Sequence, residues 1–116
     1  MKNQLNLTDL LAIVQSKINS QDEKSYIKNL CQKGIENVAQ KVGEESVEVV
    51  IASLLYQQHL MNNSQESMKY RQDIVELRKN LVNEFCDLFF HSLILMEQNK
   101  ITFEDIFTEL FNRNQK

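Results

Sequence analysis

The chain has 116 residues, no Pro, two Gly, and a formal net charge of -3 from 13 Lys and Arg against 16 Asp and Glu. That length fits one domain, the acidic balance argues against a nucleic-acid-binding face, and the scarcity of turn residues nearly excludes an all-β fold. Apolar residues make up 42%, but a chain this small buries only a modest share of its surface, so pairing with a second copy is expected.

The whole chain reads as helix. Leu7, Leu10, Leu11, Val14 and Ile18 recur at helical spacing, with Thr8 as N-cap. The polar stretch from Asn19 to Lys24 breaks the pattern, and Ser25 can then cap a short helix carrying Tyr26, Ile27 and Leu30. Gly34 sits where a helix end wants a left-handed residue. A long helix is predicted from Ile35 to about Met61, with Ile35, Val38, Val42, Val49, Ile51 and Leu55 as its apolar positions. Gly43 interrupts it at a cost of about 1 kcal/mol against Ala, and can let a backbone or ligand approach closely.

Asn62, Asn63 and Ser64 form the expected turn. A second long helix is predicted from about Ser67 to Gln98, its apolar face supplied by Ile74, Leu77, Leu81, Phe85, Leu88, Phe89 and Leu95. Asn99 and Lys100 break it, and Thr102 with Asp105 resembles a capping box. The last helix uses Phe103, Ile106, Phe107, Leu110 and Phe111, then frays from Asn112 to Lys116.

Cys31 and Cys86 are far apart and form no metal pair, so they read as reduced, buried thiols. His59, in a polar setting near the turn, reads as a surface residue. No apolar run approaches the roughly 18–20 residues of a membrane span, and the polar start lacks a signal-peptide pattern. The expectation is a cytoplasmic protein without membrane or nucleic-acid partners.

The informative residues are acidic. Glu44, Glu45 and Glu48 lie mid-helix, with Lys41 one turn below on the same stripe. Glu84 and Asp87 repeat the three-residue spacing, with Asn80 one turn before and His91 one turn after. The run from Leu81 to Met96 is otherwise almost wholly apolar, which predicts partial enclosure of Glu84 and Asp87. Isolated buried carboxylates are costly, and facing pairs repel by about 4 kcal/mol at 4 Å with an effective dielectric near 20. A divalent cation such as Mg²⁺, or Mn²⁺, resolves this with oxygen ligands. Mg²⁺ usually keeps waters and shares substrate phosphates, so the expected ligand carries phosphates. For each acidic pair the alternative is a solvated helix face, and for His91 a satisfied core histidine. No Ser-His-Asp set, phosphate-binding glycine loop or cysteine nucleophile competes for the role.

The stretch Ser25-Tyr26-Ile27-Lys28-Asn29-Leu30, then Lys33-Gly34, then Lys41 to Ala52, resembles the phosphoribosyl-ATP pyrophosphohydrolase family. Glu84 to His91 matches that family's second acidic motif. The resemblance spans roughly Leu7 to Arg113. It implies an all-α bundle with two long antiparallel helices, completed as a homodimer, that uses Mg²⁺ to hydrolyse the α–β phosphate bond of phosphoribosyl-ATP. By motif position it implies Glu45, Glu48, Glu84 and Asp87 as metal ligands, and Glu44 as an outer acceptor or water-orienting group beside Glu45. It also implies Ser25, Tyr26, Lys33, Lys41 and His91 as substrate-binding residues. A helix start favours anions at Ser25 and Tyr26, while Lys33 can equally serve the helix dipole.

The distance from Glu48 to Glu84 exceeds the family's usual spacing. One domain over residues 1–116 is therefore expected to carry an extended hairpin or an insertion around 53–79. At this length the chain is expected to lack the cyclohydrolase domain that some members of the family carry as a fusion. Two rival readings remain at this point: a MazG-like nucleoside triphosphate pyrophosphohydrolase, and a non-catalytic helical interaction module.

Overall fold

The computed structural model describes residues 4–62 and 67–115. Among them the fold is all-α, with helices α1 (Leu7–Ile18), α2 (Tyr26–Gln32), α3 (Ile35–Met61), α4 (Met68–Gln98) and α5 (Phe103–Arg113). No helix among the described residues is long and apolar enough to cross a membrane.

Local side-chain chemistry sets most helix ends. Asn6, not Thr8, caps α1: its Oδ1 accepts from the Asp9 amide at 2.7 Å. Asn is the stronger cap, and it places Asp9 in the first turn, where the helix dipole favours an acid. Ser25 caps α2 by accepting from the Lys28 amide at 3.3 Å. Gly34 follows with φ 112, a conformation costly for any side chain. The Ser67 hydroxyl accepts from the Tyr70 amide at the start of α4. Asn62 lies past the end of α3, while Asn63 and Ser64, the rest of the expected turn, lie outside the described residues. The capping box of α5 is complete, with Thr102 and Asp105 each accepting from the other's amide.

α4 ends in a Schellman motif. The Ile101 amide reaches the Met96 carbonyl and the Lys100 amide the Glu97 carbonyl, with Lys100 left-handed at φ 59.

The chain packs as two compact units. One comprises residues 1–39 and 92–116, so it holds α1, α2 and α5 with the flanking ends of the long helices. Its buried side chains are Val14, Ile27, Leu30, Val38, Leu93 and Ile94. The other comprises residues 40–91, the long arms of α3 and α4. These arms run antiparallel: the His59 ring stacks on Tyr70 at 4.7 Å, the Tyr70 hydroxyl donates to the Leu60 carbonyl, and further along Glu45 meets His91. His59 is thus half-buried, contrary to its reading as a surface residue, because the Tyr70 ring covers it and leaves its Nε2 without a hydrogen bond.

The buried face of α3 differs from the expected one. Val38, Glu45, Val49 and Ala52 are buried, while Ile35, Ile51 and Leu55 are exposed. On α4, Phe85 and Phe89 are also exposed, as are Ile106, Phe107, Leu110 and Phe111 on α5. These helices carry more apolar surface than one chain covers, so spacing alone misplaced the inward stripe. Cys86 is exposed beside Phe85, against the expectation of burial, and Cys31 is half-buried; both are free thiols.

Candidate active site

The unit of residues 40–91 contains both acidic motifs, Glu44, Glu45 and Glu48 on α3 and Glu84 and Asp87 on α4. α3 brings Glu45 inward to 7% exposure, because it lies on the stripe of Val38, Val49 and Ala52. Glu44 and Glu48 fall off that stripe and are exposed, and Lys41 is half-buried. On α4, Glu84 is half-buried, but Asp87 is exposed rather than enclosed as expected. The apolar residues around Asp87 in sequence turn partly outward themselves, as Phe85 and Phe89 do.

The carboxyls interact across the two helices. Burial pushes Glu45 above the usual carboxylate range, with Asp87 and Glu48 pushing the same way and His91 and Lys41 opposing. Glu84 is also raised, first by a side-chain hydrogen bond with Glu48, then by burial and the charges of Glu48, Asp87 and Glu45. Protonated, Glu84 can donate to Glu48. Ionised, it has a buried Oε2 to which no donor is directed. Glu45 has a similar oxygen: Oε1 lies 2.8 Å from His91 Nδ1 but receives no aligned hydrogen bond. Glu44 Oε2 accepts from Gln40 Nε2 at 3.3 Å. Gly43 faces open space, with nothing within 4 Å of where a Cβ would stand.

Among the described residues, no three or more His, Cys, Asp or Glu side chains form a group closed enough to hold a metal ion. The donor chemistry nevertheless suits a hard divalent cation. Four carboxyls act on one another from α3 and α4, and two buried oxygens lack donors. Two of the acids are raised, Glu45 first by burial and Glu84 first by its hydrogen bond with Glu48, with carboxylate repulsion adding to both. Mg²⁺ commonly takes only one or two protein carboxylates, with waters and substrate phosphates completing its shell.

The structure thus brings together Glu45, Glu48, Glu84, Asp87, Lys41 and His91. Ser25, Tyr26 and Lys33 belong to the other unit. There the Ser25 hydroxyl serves the helix cap, Tyr26 is exposed, and the Lys33 carbonyl accepts from Asn37 Nδ2. The sequence singled out both Glu45 and His91 but not their contact, because that pairing depends on the register between α3 and α4.

The sequence profile of the phosphoribosyl-ATP pyrophosphohydrolases matches residues 7–114. The phosphoribosyl-ATP pyrophosphatase of Clostridium acetobutylicum is 35% identical over 115 residues, covering 99% of this chain and 86% of that protein. The protein of the same name from Sulfolobus acidocaldarius is 35% identical over 107 residues, covering 92% of each. The histidine biosynthesis bifunctional protein HisIE of Oceanobacillus iheyensis is 34% identical over 117 residues, and this chain spans 45% of its length. No solved structure gives a significant match. The profile match covers nearly the whole chain, including both acidic helices, and the chain belongs to the phosphoribosyl-ATP pyrophosphohydrolase family.

Proposed function

We propose that residues 1–116 act as one pyrophosphohydrolase domain, in the cytoplasm, at the second step of histidine biosynthesis. The reaction adds water across the α–β phosphate bond of phosphoribosyl-ATP and gives phosphoribosyl-AMP and pyrophosphate. The observation that carries this reading is the convergence of Glu45 and Glu48 of α3 with Glu84 and Asp87 of α4, in a chain of this family.

Glu45, Glu48, Glu84 and Asp87 would hold Mg²⁺, or Mn²⁺ in its place. When bound, such an ion neutralises triphosphate charge and lowers the pKa of bound water. The protein's own task is then positioning, which is most of what phosphoryl transfer asks. Lys41, close enough to Glu45 to lower its pKa, pairs with a phosphate oxygen. Glu44, exposed on the same turn, accepts a hydrogen bond from the attacking water and orients it. Ser25, Tyr26 and Lys33 are assigned to the substrate by motif position alone.

A homodimer completes the enzyme in this reading. Val47, Val50, Ile51 and Leu54 form an exposed apolar stripe along α3, and Val82, Phe85 and Phe89 another on α4. Stripes of this kind mark association surfaces.

The test is pyrophosphate release from phosphoribosyl-ATP, ATP and dUTP, each with Mg²⁺ and with EDTA. Preferred turnover of phosphoribosyl-ATP, abolished by EDTA, is expected. Preference for a free nucleoside triphosphate would move the chain to MazG-like chemistry, and turnover undiminished in EDTA would remove the metal.

A further inference from the structure

Glu45 and His91 are the two buried polar side chains among the described residues, at 7% and 6% exposure. They meet across α3 and α4 within one compact unit. The surroundings of His91 fix its tautomer. Nδ1 lies 2.9 Å from the Asp87 carbonyl oxygen, which can only accept, so Nδ1 carries the hydrogen. That bond ties the ring to the backbone one turn back on α4.

Glu45 Oε1 sits 2.8 Å from the same nitrogen, but off the axis of its N–H. The imidazole therefore attracts one carboxylate oxygen without occupying its lone pairs in a well-formed hydrogen bond. A metal-binding carboxylate benefits from this combination, being oriented while its electrons remain available. Through one ring, the side chain of Glu45 on α3 is set against the backbone of Asp87 on α4.

We propose that His91 is a positioning residue of the cation site: it holds Glu45 against the Asp87 backbone and acts through that carboxylate. This inference rests on the metal-dependent reading above.

The contrast is with a histidine that only fills space. Calorimetric titration of the full chain with Mn²⁺, without substrate, separates the two. His91→Leu is expected to weaken binding by about 10- to 100-fold, while the melting temperature in EDTA stays level or rises. His91→Asn, whose amide nitrogen can stand where Nδ1 stands, is expected to recover most of the affinity. His91→Gln, which places its amide further out, is not. If the leucine variant fails to fold, the Asn and Gln variants decide the matter, and equal affinity between them overturns the proposal. Wild-type affinity in a folded His91→Leu protein also overturns it, while the metal reading survives. Absence of Mn²⁺ binding by the wild type would overturn both.

Discussion

Glu45 holds its proton above the usual 4.5 of a glutamate chiefly because burial keeps water from it, and Glu84 does so first through its hydrogen bond with Glu48 and then through burial, with neighbouring carboxyls adding to both. In the unfolded chain both return to that usual value. Between 4.5 and their raised folded values the native state binds more protons than the unfolded one, so stability falls as pH rises through this window. Below it both states are protonated and this contribution is complete. Urea midpoints in EDTA should therefore rise as pH is lowered from 7 toward 4.5, and Glu84→Gln should flatten the rise. Because Glu45 and Asp87 are proposed metal ligands, Glu45→Gln and Asp87→Asn should each cut Mg²⁺-supported turnover by at least about 10- to 100-fold, while relief of carboxylate repulsion leaves the EDTA melting temperature unchanged or higher. Full activity in either variant would remove that residue from the ligand set.

At the scale of the element, α5 depends on a capping box that satisfies two backbone donors at once. Thr102→Ala should destabilise the protein by about 1 kcal/mol, measured by chemical unfolding. Ends of this kind were legible in the sequence: Ser25, Gly34 and the Thr102–Asp105 pair each carry a local chemistry that needs no tertiary partner. Thr8 misled because Asn6, two residues earlier, is the stronger cap. Which face of α3 turns inward was not legible, since apolar residues occupy two faces and only packing selects Val38, Val49 and Ala52 over Ile51 and Leu55. The meetings of His59 with Tyr70 and of Glu45 with His91 were hidden for a related reason, because they depend on the register between two helices.

For the molecule as a whole, valines, leucines and phenylalanines stay exposed along α3, α4 and α5, and the proposed second copy would cover them. Light scattering should give twice the 13.6 kDa chain mass. Leu54→Glu, at a site 58% exposed in the chain, should shift the protein toward monomer without unfolding it. An unchanged mass would place the contact on another surface. The acidic motifs were legible at this scale because their spacing on each helix is local; their convergence required the antiparallel run of α3 and α4. Finally, Lys100 closes α4 in a backbone shape that glycine adopts without steric cost. Relieving that cost with Lys100→Gly offers a handle on heat tolerance of about 1 kcal/mol, read as a higher melting temperature with catalytic rate untouched. Durability and chemistry in this enzyme are thereby open to separate adjustment.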